Sequence, residues 1–213
     1  MIETFFNVGI VRAAWPILLA GLGMTLALSA LVVPLGLLGG LVLALLSTVR
    51  SRWVRLPLIA WIDFFRAFPP LVLLIFLYAG LPFAGLEMGG FGCVAVGFFL
   101  NTGAYYGEVL RAGIDSVPAG QTEAARTLGL VVLPQAVRNV LPDLLSNTLE
   151  VVKLTSLASV VALPELLFQA RQAQSLTYNP TPIVAAAVVY FLLLWPVVRL
   201  LSRLENRALA RPR

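Results

Sequence analysis

The chain has 213 residues, 60% of them apolar and 12% charged, with a mean hydropathy of +0.93 and a net charge of +5. A soluble domain of this length needs more polar surface, so the composition points to an integral membrane protein. There is no histidine and one cysteine, Cys93, which excludes His-based triads, His-ligated metals and an intrachain disulfide.

The bilayer core is ~30 Å thick and needs roughly 20 apolar residues per helix. Ala13 to Val49 carries no charge over 37 residues, too many for one perpendicular span. Residues 1–24 are therefore expected to include an outer or interfacial segment, with Trp15 at the headgroups and the crossing at Thr25–Ser47. Pro34 is expected to kink this helix. Gly36 and Gly40 have a small-xxx-small spacing, read either as a close helix contact or as lipid-facing glycine. A second crossing is expected over Pro57–Gly80, with Asp63 and Arg66 at the headgroups, and then a loop, Leu81–Gly90. The third spans Phe91–Tyr106 with Asn101 as its polar interior residue. The fourth, Asp143–Phe168, carries Glu150, Lys153 and Glu165 and is broken at Pro164. The last, Ile183–Leu201, runs into Arg199, Arg203, Arg207, Arg211 and Arg213. The expectation is a single all-α integral membrane domain, residues 1–213, with five transmembrane helices.

Lys153 is the only lysine, and the arginines fall mostly in loops between apolar runs rather than on one face. That distribution reads as membrane topology and not as a nucleic-acid footprint. Arg50, Arg52, Arg55, Arg66, Arg111, Arg126, Arg138 and the five carboxyl-terminal arginines share one side; Arg12 and Arg171 lie on the other. The amino terminus is thus expected outside and the carboxyl terminus in the cytoplasm. A two-helix hairpin at the start would instead give six spans and an inside amino terminus. No basic stretch precedes the first apolar run, so a cleaved signal peptide is not expected.

Residues 112–140 form a polar connector between the third and fourth spans, centred on Gly120-Gln121-Thr122-Glu123-Ala124-Ala125-Arg126-Thr127-Leu128-Gly129. A charged helical patch bounded by glycines has to face water. Glu123 suits a helix start, Ala124 and Ala125 add helix propensity without bulk, and Gly129 can end the turn.

Glu123-Ala124-Ala125, Gly129 and Leu133-Pro134 resemble the cytoplasmic motif of bacterial ABC importer permeases. Arg66-Ala67-Phe68-Pro69-Pro70-Leu71-Val72 is similar to the segment that opens the family's second core helix. Asn101, Ala104-Tyr105, Glu108 and Arg111, then Ser116-Val117-Pro118, Leu133-Pro134-Gln135-Ala136, Asn147, Lys153-x-Thr155-Ser156-Leu157, Pro164-Glu165-Leu166-Leu167 and Leu204-Glu205 follow in the family's order. The resemblance covers residues 17–207 and is to the polar amino-acid branch, histidine, lysine, arginine and opine permeases in particular.

What the resemblance implies is a transport subunit without its own enzyme activity. Gly120, Glu123, Ala124, Ala125, Gly129, Leu133 and Pro134 would form a coupling helix that docks on a cytoplasmic ATPase. Partners would be an ATPase dimer, a second permease subunit and an extracytoplasmic solute-binding protein, in a bacterial inner membrane. No Walker A cradle is present in the chain, so nucleotide hydrolysis would come from the partner. From Gly129 to Pro134 the chain is about eight residues shorter than that family's spacing, ~12 Å of helix. The connector is then either natively short, engaging its ATPase differently, or a truncated copy.

Charges within a span cost at least ~2.5–3.5 kcal/mol and usually face a cavity or a partner. Asn101, Lys153, Thr155, Ser156 and Glu165 are therefore candidates for a translocation path. Glu150 and Lys153, three apart, can instead neutralise each other, and Glu165 can meet a cationic solute or pair with Arg171. No cofactor and no metal are expected. A secondary carrier would need internal repeats, which are not visible, and a non-catalytic scaffold or inactive copy is the remaining alternative.

Overall fold

The computed structural model describes residues 5–117 and 132–209, with side chains for 5–117 and 137–203. Among these residues the protein is all-helical. Helix α1 spans Val8–Ser47, α2 Arg52–Ala67 and α3 Pro70–Ile75, which continues through a π turn, Phe76–Gly80, and a 3-10 turn, Leu81–Ala84. Then come α4 (Gly90–Asp115), α5 (Val132–Leu154) with a 3-10 extension Thr155–Val161, α6 (Leu166–Thr177) and α7 (Thr181–Leu209).

α1 differs from the expected division at residue 24. Its 40 residues form one helix through both Pro16 and Pro34. At 1.5 Å per residue that is about 60 Å, twice the ~30 Å apolar thickness of a bilayer. The helix continues through Pro16, Gly21 and Gly23 because that half has its own packing partner. Ala14 and Leu18 pack against Leu166, Ala170 and Ala173 of α6 and Ala186 of α7.

The second expected crossing, Pro57–Gly80, is likewise not one rod. α2 meets the Pro70–Ala84 segment at 97°. The reason is local: Pro69 and Pro70 donate no backbone hydrogen bond, and a residue before proline avoids the helical region. Phe68 and Pro69 are extended, with ψ of 125° and 126°.

Glycine decides where α1 and α4 cross. A Cβ on Gly36 would lie 2.5 Å from Thr102 Oγ1, and one on Gly40 2.6 Å from Tyr106 Cβ and 2.7 Å from the Gly107 nitrogen. The small-xxx-small spacing is thus a helix–helix contact and not a lipid-facing surface. Because 36 meets 102 and 40 meets 106, the two helices run parallel.

The other directions follow from single contacts. Gly97 abuts Leu74, and Asn101 shares a cavity wall with Pro70, so α3 opposes α4. Tyr106 bonds Thr148, and Asn139 bonds Ser116, so α5 opposes α4 as well. Thr25 accepts from Leu166 N while Ala14 lies by Ala173, so α6 runs against α1. Asn7 N donates to Thr181 Oγ1, which starts α1 and α7 side by side at one end. The ends of α1, α4 and α7 and the start of α5 therefore share the opposite pole, the one carrying Arg50, Arg52, Arg55, Arg66, Arg111, Arg199 and Arg203.

Among the described residues, Val8–Ser47, Val137–Val161 and Thr181–Arg203 are long and apolar enough to cross a membrane, and the bent pair makes a fourth. α4 is buried by its neighbours at twelve positions and needs less apolar character of its own, so Asn101, Thr102 and its glycines are tolerated.

Gly40→Val should destabilise the protein by about 1–3 kcal/mol or prevent folding, because the added atoms meet backbone. Gly23→Ala, where nothing lies within 4 Å, should be neutral or slightly stabilising. Thermal unfolding in detergent compares the two; equal melting temperatures would refute the crossing.

Candidate functional site

The break between α2 and α3 leaves two carbonyls without their usual donors. Phe65 and Arg66 would bond the nitrogens four residues on, and these belong to Pro69 and Pro70. α4 replaces both. Asn101 Nδ2 donates to Phe65 O at 2.8 Å, and Tyr105 Oη donates to Arg66 O at 3.1 Å. Asn101 and Tyr105 are one turn apart on α4, which lets one helix face serve two successive carbonyls. Asn101 is 1% exposed, so its bond sits where an unmade one would cost most.

Next to this junction lies a cavity of about 300 Å³ between α3, α4 and α5. Its wall includes Pro70, Asn101, Thr102, Tyr105, Tyr106, Asn147 and Glu150. Asn101 therefore both pins the break and faces the hollow. Sequence reasoning missed Thr102, Tyr105 and Asn147 as lining groups, although Tyr105 and Asn147 stand among the motif residues and 101, 102 and 105 share a helix face.

Glu150 and Lys153 form an ion pair along α5, as their i,i+3 spacing allows. Both remain about half exposed, so the pair is not sealed. Lys153 and Ser156 line a second, apolar hollow of about 260 Å³ with Leu167, Ile183, Ala186, Ala187, Tyr190 and Leu194. The ion pair thus bridges two cavities, and the five path candidates do not converge on one.

Thr155 and Ser156 are turned to the backbone. Thr155 Oγ1 donates to Val152 O at 2.6 Å and Ser156 Oγ to Lys153 O at 2.8 Å, closing carbonyls where α5 tightens into its 3-10 extension. Ala162 then turns left-handed, φ 55°, before Pro164. Glu165 is fully buried and caps α6: Oε1 accepts from Phe168 N at 2.7 Å and Oε2 from Leu167 N at 2.8 Å. Tyr190 Oη of α7 donates to Oε2 at 2.9 Å. Its oxygens are occupied by these three donors, with no ion pair to Arg171 among the described residues. Thr25 and Tyr190, which complete this junction, carry no motif that would have singled them out.

At the opposite pole, Arg111 grips Glu108 through Nε (3.0 Å) and Nη2 (2.6 Å) and reaches Asp115 at 3.1 Å. Arg66 approaches Glu108 and Asp63 at 3.9 Å each and lies over the Tyr105 ring. Hydrogen bonding from Arg111 holds the Glu108 carboxyl below its ordinary value; partial burial opposes this, and the charges of Arg111 and Arg66 reinforce it. This network stiffens the last turns of α4, where the connector departs. The connector's roots are tied by Asn139 Nδ2 donating to Ser116 Oγ at 3.0 Å. Gly120, Glu123, Ala124, Ala125 and Gly129 lie outside the described residues; Leu133 and Pro134 fall in the first turn of α5.

Asn101→Leu removes the donor and strands a buried carbonyl, which should cost about 1–3 kcal/mol. Asn101→Asp should fare no better, because an ionised carboxylate cannot donate. Tyr105→Phe should cost less, its bond being more exposed. Thermal unfolding of the purified protein gives the order; an Asn101→Leu variant as stable as the parent would contradict the pairing.

The family described as the binding-protein-dependent transport system inner membrane component matches residues 36–209. The probable amino-acid ABC transporter permease protein YckA of Bacillus subtilis is 32% identical, covering 96% of this chain and 92% of its own. The octopine transport system permease protein OccM of Rhizobium meliloti is 34% identical over 88% and 84% of the two chains. A crystal structure of an amino acid ABC transporter with histidines superposes with a TM-score of 0.84 at 34% identity, covering 95% of this chain and 98% of that one. A MetNI methionine ABC transporter in an inward-facing conformation shares the fold, with a TM-score of 0.74 at 19% identity over 92% and 97%. By that match and these relatives, this chain belongs to the binding-protein-dependent transport system inner membrane component family, as a multi-pass membrane permease subunit and not an enzyme.

Proposed function

We propose that the chain forms half of the translocation path of an ATP-driven amino-acid importer in a bacterial inner membrane, with polar or basic amino acids or opines as its solutes. The observation that carries the solute class is the cavity beside α4 and α5. Its volume of about 300 Å³ is at the small end of ligand pockets, and it combines hydroxyl and amide groups with one carboxylate, Glu150. A second permease subunit would supply the facing wall.

Five passes with the amino terminus outside fit the alternating directions of α1, α2–α3, α4, α5–α6 and α7. The basic pole then faces the cytoplasm. The first turns of α1, within residues 1–24, reach beyond the outer apolar boundary, where a solute-binding protein would dock. The connector, residues 112–140, leaves the cytoplasmic end of α4 from an ionic network. Its tied roots would transmit force from a cytoplasmic ATPase dimer to α4 and α5 together, through Gly120, Glu123, Ala124, Ala125, Gly129, Leu133 and Pro134.

Of the path candidates, Asn101 and Lys153 line the hollows, and Ser156 lies in the wall of the second. Thr155 and Glu165 act by holding the chain's bend in shape around them. Reconstitution with an ATPase subunit and a solute-binding protein, followed by an amino-acid screen, tests the proposal. Glu150→Gln leaves Lys153 unpaired beside the cavity, so it should raise the KM for basic amino acids about tenfold, equivalent to 1.4 kcal/mol. Unchanged uptake of basic solutes would remove Glu150 from the path, and no solute-stimulated ATP turnover with any amino acid would remove the function.

A further inference from the structure

We propose that α2 is an interfacial helix whose amino-terminal half binds anionic phospholipid headgroups of the cytoplasmic leaflet. The inference rests on the reading of the basic pole as cytoplasmic. The helix sorts its residues into three stripes, each at three- or four-residue spacing. Leu58, Ile62 and Phe65 turn to the protein, and Ile62 and Phe65 are buried. Trp53, Pro57, Trp61 and Phe64 form an outward apolar stripe, with Trp53 92% exposed. Arg52, Arg55, Asp63 and Arg66 form the third stripe, polar except for Ile59, which lies between Arg55 and Asp63.

Only the carboxyl-terminal half is held by the protein. Every residue from 48 to 57 is exposed, although this stretch contains Trp53, Val54 and Leu56. Arg66 is neutralised by Asp63 and Glu108, whereas Arg50, Arg52 and Arg55 have no carboxylate partner among the described residues. Three uncompensated guanidinium groups beside exposed indole need both an apolar medium and an anion. An anionic lipid surface supplies the two together.

The 97° bend gives the required attitude. If α3 rises through the bilayer, α2 lies near its plane, with tryptophan toward the acyl chains and arginine toward phosphate. The far end of α7 reaches the same pole with a similar pairing, the Arg199 guanidinium 5.6 Å from the Trp195 ring centre. A protein partner would favour a mixed face depleted of charge at its centre, not parallel apolar and cationic stripes.

The test uses the full chain co-reconstituted with its partner subunits in vesicles of phosphatidylcholine and phosphatidylglycerol. One lipid at a time is brominated on its acyl chains. The Trp53 signal is the fluorescence of the parent minus that of Trp53→Phe. Quenching should be at least about twofold stronger from brominated phosphatidylglycerol than from brominated phosphatidylcholine at equal mole fraction. The R50Q/R52Q/R55Q variant should keep Trp53 quenched by both lipids but lose the preference. Equal quenching in the parent, or a preference that survives the triple substitution, would overturn the proposal. So would the absence of quenching by either lipid, which would mean that an ATPase or a second permease covers the face. Solute-stimulated ATP turnover in the same vesicles reports separately on the importer reading.

Discussion

Backbone polar groups in apolar surroundings must be paired, and this protein is built around places where its own helices cannot pair them. Two prolines at 69 and 70 remove consecutive donors, and a turn at Ala162–Pro164 ends the ascent of α5. Each gap is tied to a distant helix, the first directly and the second together with a local cap. Asn101 and Tyr105 of α4 answer the first. Glu165, Thr25 of α1 and Tyr190 of α7 answer the second. The breaks are consequently the points where the bundle is tied, and the cavities lie beside them.

This arrangement couples position to chemistry. The Pro69–Pro70 break turns the chain by a right angle, which exposes Pro70 and α4 to a hollow that a straight helix would have filled. The Gly36–Gly40 crossing brings α1 against the same stretch of α4 from the other side. α4 is therefore gripped by α1 and by the α2–α3 break at residues that also line the cavity. Its last turns carry the Glu108–Arg111–Asp115 network into the connector. The helix that carries this network also holds the cavity wall.

Much of this was legible in the residues, because helix-forming apolar runs, basic loops and motif order are local signals. Glu150–Lys153 spacing announced an ion pair, whereas the Pro69–Pro70 pair lies inside one expected crossing, Pro57–Gly80, and its break emerged only in the fold. What stayed illegible was which distant group completes each break. Asn101 reads as a polar residue inside an apolar run, and only the fold shows that it serves a carbonyl 36 positions away. Glu165 reads as an intramembrane charge, yet its neighbours use it as a helix cap shared with Tyr190. The unbroken length of α1 was hidden for another reason. Gly21, Gly23 and Thr25 beside Met24 are compatible with a boundary but do not impose one, and the expected division came from bilayer thickness and Trp15.

The account turns on the polar excursion between α4 and α5 lying on the cytoplasmic face, where a nucleotide-driven partner can reach it. A Thr122→Cys substitution in a Cys93→Ser background, probed with a membrane-impermeant thiol reagent, measures that directly. The expected result is no labelling in intact cells and full labelling in inside-out vesicles. Labelling of intact cells would put the excursion outside and contradict the account.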